Sequence, residues 1–404
     1  MRAPVCGKSG GGQVTGKEGR PATPGPAPGP EEAVRDGLGE APLTVGQAVR
    51  SAEAVLDDVL DAGLRRARQT DPVYARDVVC RVTAFARRGG KRLRTAFAWC
   101  GWQAAGGSGD ALPVLRTGAA LELLQVCALV HDDVMDGSLM RRGGPAMHVD
   151  FARQFPAGRT TGSPDSFGRS AAVLAGDLAL AWADDLLTET ALGSVHGTGL
   201  YQEWRATRGE MVAGQYRDIH AQAAGVSGLD EAVAIATLKS ARYTVERPLA
   251  LGATLAGADE HILDALRSAG RSAGLAFQLR DDLLGAFGDP VLTGKPAGED
   301  LRTRKLTYLL AVALTLAEDS GDADAAAVLA PGGGNRSART VERMRSALVR
   351  TGACSAVEAK IADLVVTSLR HFARTGASPQ VRREFAALVE RAAGPAPRLS
   401  EEKR

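Results

Sequence analysis

Aromatic residues are scarce, at 4% of 404 positions, and the 45% of the chain that is apolar rests mainly on alanine and leucine. Both are strong helix formers, so the composition leans towards an α-rich protein. Cysteine is equally sparse. Cys6, Cys80, Cys100, Cys127 and Cys354 form no CxxC pair and have no metal-ligand spacing, which argues against a disulfide framework or a thiolate metal centre. They read as small buried hydrophobes in a reducing compartment. No run of about 18 uninterrupted apolar residues exists, and the N-terminus has no apolar core of a secretory signal, so the expected location is cytoplasmic without a membrane span. An excess of one charge is also missing. The 49 basic and 47 acidic residues leave +2, too balanced for a nucleic-acid footprint, so any anion site must be local.

What is present begins with a change of texture near residue 44. Before it, GKSGGGQ and PATPGPAPGPEE are too poor in apolar surface to offset ordering entropy, and 1–44 reads as a disordered tail. The GKS within it lacks the preceding strand and following helix of a phosphate loop. After it comes helical periodicity, predicting helices at 45–67, 73–88, 91–104, 111–134, 169–191, 197–223, 229–254, 260–285, 304–318, 336–351, 353–374 and 379–393. No window alternates as a strand would. The expectation is an all-α bundle of long antiparallel helices in one domain, 45–394, with a flexible tail at 395–404. Loops are expected at 156–168 and 331–335.

Three clusters carry the chemistry. LELLQVCALV runs into Asp132, Asp133 and Asp136, followed by a polar turn bearing Arg141 and Arg142. Asp132 and Asp136 sit one helical turn apart on one face, where two carboxylates repel unless a cation lies between them. Magnesium suits such a site, because it accepts few protein carboxylates and completes its shell with water and phosphate oxygens. A second apolar helix ends in Asp281 and Asp282, followed by a basic glycine-rich loop with Lys295 and Lys305. Two helices that each end in paired carboxylates ahead of basic loops imply a cavity where metal ions bridge a multiply charged anion. The third cluster, RRGGKRLR at 87–94, places Lys91 and Arg94 where a helix opens and an anion could bind.

The motifs GGKRLR, DDxxD with RRG, GQYRD, KSARYT, QLRDD and GK…DL…K occur in that order across about 45–394. In them the sequence resembles the trans-isoprenyl diphosphate synthases, or polyprenyl synthetases, and is similar to the bacterial geranylgeranyl diphosphate synthases among them. The resemblance implies the isoprenoid synthase fold around a central cavity, usually as a homodimer. It implies that Lys91, Arg94, Gln125 and Arg142 hold isopentenyl diphosphate. Asp132, Asp136 and Asp281 would bind Mg²⁺, three ions per site, with Asp133 and Asp282 in support. Arg141, Lys239, Ser240, Gln278, Lys295 and Lys305 would serve the allylic diphosphate, be it dimethylallyl, geranyl or farnesyl. Gln215 and Asp218 match a further polar motif on a cavity-facing helix, and His131 reads as a structural neighbour of the first cluster.

Gly285 departs from the pattern. It stands where the second acidic motif of the family has its last carboxylate, which puts the surroundings of the third magnesium in doubt. Chain length is read from the helix before Asp132. Ala128, Leu124 and Leu121 share its face, and family members that stop at fifteen carbons carry large aromatics where this chain has Cys127 and Ala128. By that analogy the product is geranylgeranyl diphosphate. Two alternatives remain: a class I terpene cyclase, and a noncatalytic subunit that modulates another prenyltransferase.

Overall fold

The computed structural model describes residues 44–155, 162–288, 298–331 and 337–394. The expected tails at 1–44, Thr44 apart, and 395–404 lie outside those residues, as do Lys295 and most of the predicted 331–335 loop. All the described residues belong to one compact unit.

Thr44 opens α1 (Val45–Thr70) with a capping box, its hydroxyl accepting from Gln47 N while the Gln47 side chain accepts from Thr44 N. The next helix, α2, continues from Pro72–Tyr74 through a π-helical stretch, Ala75–Val79, into Cys80–Arg87. The turn of Gly89 and Gly90 leads to α3 (Leu93–Ala104). α4 (Leu112–Asp136) is apolar on every side because it is enclosed by α1, α3 and α6 (Pro164–Leu192). By length and composition α4 could cross a membrane, yet 72% of its most apolar window is buried inside the molecule, as befits a core helix.

A feature absent from the sequence reading follows α4. Strands β1 (Met140–Arg141) and β2 (Gly144–Pro145) pair antiparallel across the two-residue turn of Arg142 and Gly143, with φ of 52° and 73°. Positive φ at both central residues is what a tight hairpin of this twist requires. A short α5 (Met147–Ala152) follows. The loop expected at 156–168 ends early, because Ser163 caps α6 and Pro164, lacking an N–H, fits its first turn.

α7 (Gly197–Ala224) leads to α8, expected as one plain helix. Instead Leu229–Ile235 passes into an 11-residue π-helical stretch, Ala236–Glu246, before Arg247–Leu255 resumes α geometry. That stretch contains KSARYT and is squeezed from two sides. A Cβ on Gly214 of α7 would lie 2.4 Å from Lys239 N, and one on Gly274 of α9 2.4 Å from Ala241 O. α9 (Glu260–Phe287) packs on this stretch and on the later helix Ala353–Ala373. The helix predicted at 304–318 starts four residues later, and a short helix the sequence did not predict precedes it. α10 (Glu299–Thr303) ends where Arg304 turns left-handed (φ 53°), and α11 (Tyr308–Ser320) starts afresh from a Thr307 cap. α12 (Ala323–Leu329), α13 (Ala338–Arg350), α14 (Ala353–Ala373) and α15 (Pro379–Ala393) complete the all-α bundle. Leu279, Leu309, Leu329, Leu348 and Val357 form the core between α9 and α11–α14.

Candidate active site

α4 ends at Asp136 because Gly137 adopts φ 65°, the left-handed cap that stops a helix. The three aspartates of its last turns differ sharply. Asp133 is fully buried and accepts from Arg141 Nε at 2.8 Å, so the β1–β2 hairpin folds its arginine back onto the helix that precedes it. Asp132 accepts from Arg141 Nη2 (3.1 Å), Lys239 Nζ (2.9 Å) and Gln215 Nε2 (3.3 Å). Burial alone would raise its pKa, but Lys239, Lys305 and Arg141 outweigh that and hold it far below the usual carboxylate range. Asp136 accepts from Lys305 Nζ at 3.1 Å.

The hub of this network is Asp218, to which the sequence reading gave no defined role. It is fully buried and bridges Lys239 (2.6 Å) and Lys305 (3.0 Å). Burial raises its pKa, and the two ammoniums overcome this and lower it. Lys305 responds in kind. Burial disfavours its charge, but Asp218, Asp132 and Asp136 push its pKa well above normal, so it stays protonated. GQYRD could have pointed to Asp218, since its carboxylate sits three residues after Gln215, near one helical turn.

In the second acidic cluster, Asp282 is buried and accepts from Gln278 Nε2 (2.7 Å) and Tyr308 N (3.1 Å). Burial, reinforced by the charges of Asp300 and Asp281, pushes its pKa up to about 7. Gln278, expected at the allylic diphosphate, is instead held by Asp282, and Asp281 is exposed on α9. Arg141, also expected at the diphosphate, is engaged by Asp133 and Asp132. Ser240 is buried beside Lys239 on α8.

The basic groups assigned to the other anion gather next door. Arg142 turns away from Arg141 to donate to Phe85 O at 3.1 Å, and its guanidinium lies against Gly90 of the GGKRLR turn. Arg94 stacks 4.2 Å over the Tyr243 ring and donates to Thr244 Oγ1 at 2.9 Å, while the exposed Lys91 lies 5.9 Å from the Phe277 ring. Arg92 is a structural neighbour, paired with Glu53 and with buried Glu122. Burial, with Arg92, Arg94 and Arg141 close by, lowers the Arg142 pKa to about 10. Arg94 Nε and Gln125 Oε1 are buried without a hydrogen-bond partner among the described residues. An unpaired guanidinium N–H of Arg94 beside crowded cations marks a place for an anionic ligand, whereas the Gln125 carbonyl oxygen, an acceptor, calls for a donor.

Among the described residues no group of three or more His, Cys, Asp or Glu converges closely enough to hold an ion by itself. The reason is visible in the network, where Lys239 and Lys305 occupy the space between Asp132, Asp136 and Asp218. The donors are carboxylate oxygens throughout, hard ligands of the kind magnesium selects.

Comparison with known proteins decides the family. Residues 79–344, which include every site residue from Lys91 to Lys305, match the model of the polyprenyl synthetases. The chain belongs to the polyprenyl synthetase family. It is 34% identical over 284 residues to a geranylgeranyl diphosphate synthase of Mycobacterium tuberculosis, covering 68% of this chain and 72% of that one. It is 36% identical over 218 residues to a (2E,6E)-farnesyl diphosphate synthase of Mycobacterium bovis, covering 54% and 55% respectively. Among solved structures it resembles the geranylgeranyl pyrophosphate synthase of Corynebacterium glutamicum complexed with isoprenyl diphosphate and magnesium, with a TM-score of 0.79, 37% identity, and 85% and 98% coverage. This polyprenyl synthetase is therefore a prenyltransferase with an all-α isoprenoid synthase fold.

Proposed function

We propose that this prenyltransferase condenses isopentenyl diphosphate with an allylic diphosphate, in the presence of magnesium, and stops at geranylgeranyl diphosphate. The observation that carries the reading is the β1–β2 hairpin. Its Arg141 is tied to the acidic network while its Arg142 lies among Arg92 and Arg94, so one turn joins a carboxylate-and-lysine subsite to one in which arginines outnumber the single buried Glu122. Two anionic substrates of different needs fit that pair.

Mg²⁺ held by Asp132, Asp136 and Asp281 would supply Lewis-acid stabilisation of the departing diphosphate. Asp133 and Asp282 fix their neighbours without contacting substrate. Lys239 and Lys305 stand ready as charged donors and would exchange carboxylate partners for phosphate oxygens as the allylic carbon–oxygen bond breaks and its electrons leave with diphosphate. Arg94, Arg142, Gln125 and Lys91 would hold isopentenyl diphosphate, so that its double bond forms the new carbon–carbon bond with the allylic cation. The proton lost afterwards goes to the released diphosphate. No side-chain nucleophile takes part.

Leu121 and Leu124 are fully buried on α4 and Cys127 is nearly so, whereas the small Ala128 is half-buried. A methyl group there leaves room for a fourth isoprene unit. Residues 45–394 would act as one catalytic domain, working as a homodimer. Purified protein with Mg²⁺, labelled isopentenyl diphosphate and each of dimethylallyl, geranyl and farnesyl diphosphate should yield a twenty-carbon product, abolished by a chelator. Absence of product from every starter would point to a noncatalytic subunit, and a cyclic product made without consuming isopentenyl diphosphate to a terpene cyclase.

A further inference from the structure

The π-helical stretch of α8 serves both subsites at once. Lys239, near its start, reaches Asp132 and Asp218, while Tyr243 and Thr244, one turn later, give Arg94 its aromatic face and its hydroxyl partner. One face of α7 runs along this stretch. Asp218 pairs with Lys239, Gly214 one turn earlier lies against the Lys239 backbone, and Glu210 one turn earlier again receives two arginines. Glu210 Oε1 accepts from Arg242 Nη1 at 2.7 Å and from Arg247 Nη2 at 2.5 Å, and its Oε2 accepts from Arg247 Nε at 2.8 Å. Five residues separate the two arginines, a spacing that on a regular α-helix would set them about 140° apart around the axis. Here the last π-type hydrogen bond joins the same pair, Arg247 N donating to Arg242 O, and the wider turn brings both guanidiniums to one carboxylate. Burial would raise the pKa of Glu210, but Arg247 and Arg242 outweigh that and lower it. The turn is held from α9 as well, where Arg271 donates to buried Glu246 at 3.1 Å through both Nε and Nη2.

We propose that Glu210 is a positioning residue for both substrates: by gathering Arg242 and Arg247 on one carboxylate it holds the π-helical turn closed, and so fixes the register in which α8 presents Lys239 to one subsite and Tyr243 with Thr244 to the other. This rests on the two-subsite reading given above. Without that carboxylate the two guanidiniums meet as like charges in a partly buried place, where water screens them poorly. The turn then relaxes towards α geometry, in which each residue is rotated about 100° from the next. A shift of one residue in register is enough to turn Tyr243 and Thr244 away from Arg94 or Lys239 away from Asp132.

The test is binding of isopentenyl diphosphate by calorimetry and steady-state turnover with farnesyl diphosphate and Mg²⁺, alongside melting temperatures. Glu210→Gln should weaken isopentenyl diphosphate binding and lower kcat, each by roughly 10- to 100-fold, the usual result of moving a binding group by about 1 Å. Arg242→Gln, a gentler change because that side chain is 31% exposed, should do the same. The two combined should be no worse than either alone, since each empties the same contact. Glu203→Gln is the control. Glu203 joins the same ion network through Arg247 and Arg267 without touching Arg242, so its loss should lower the melting temperature and leave both substrate constants unchanged. Unchanged affinity and kcat in either Glu210→Gln or Arg242→Gln, whatever the melting temperature, would overturn the proposal, as would equal losses in Glu203→Gln. Wild-type protein that bound no isopentenyl diphosphate would overturn the two-subsite reading instead.

Discussion

Asp132, Asp133 and Asp136 lie within one stretch of five residues, yet burial and partners give them different tasks. Asp133 is sealed against Arg141, while Asp132 and Asp136 hold lysines that can move. Asp132→Ala and Asp281→Ala should therefore each lower kcat by roughly a thousandfold or more; Asp281→Ala, at an exposed position, should leave the melting temperature little changed, whereas Asp132→Ala, which strips Lys239 and Arg141 of a buried partner, should also lower it. Steady-state assays with circular dichroism melts check this. Asp282 predicts a pH effect whose sign is fixed by its raised pKa. In the unfolded chain it titrates near 3.8 and in the folded one near 7, so between those values only the folded state holds the proton. Stability without Mg²⁺ should then fall as pH rises from about 4 to about 7, by up to a few kcal/mol, with no further loss from this group above 7. Asp282→Asn keeps an oxygen for Tyr308 N and can be met by a flipped Gln278 amide. It should flatten that slope in urea titrations at several pH values. Ala128→Phe should shorten the product to fifteen carbons by chromatography, because the ring would occupy the half-buried space beside α4.

At the scale of elements, local distortion is concentrated at the site. Arg92, Arg142 and Arg304, one in each basic motif, are the non-glycine residues with left-handed backbone among those described, and α8 carries its π-helical stretch across KSARYT. Irregular backbone of this kind is found at functional sites, where neighbours hold it in place. For Arg142 the left-handed φ serves the tight turn that sends two consecutive arginines to different subsites. Arg142→Gly should keep or slightly raise the melting temperature, by removing backbone strain of about 1 kcal/mol, while raising the KM for isopentenyl diphosphate. Arg142→Ala, which keeps the strain, should raise KM equally and melt lower. Calorimetry and kinetics on the two variants separate charge from conformation. None of these distortions was legible in the sequence. Helical periodicity does not register a π-helical stretch, and a two-residue strand is too short to alternate.

For the whole molecule, large exposed apolar side chains recur on α6 and α7, among them Val173, Leu174, Val212 and Tyr216. They fit a buried face in the proposed homodimer, and Leu174→Glu should shift the sedimentation coefficient towards that of a monomer. What the sequence determined alone was the all-α architecture, most helix boundaries to within a few residues, and the chemical class of the site. Those depend on periodicity, caps and paired acids before basic loops, all of which are local. Only the tertiary structure decided which charges meet. Lys239 reaches Asp132 across 107 positions and Lys305 reaches Asp136 across 169, with Asp218 between them. Those meetings depend on how far each helix is rotated and how closely backbones approach at Gly214 and Gly274, and side chains from distant parts of the chain set both.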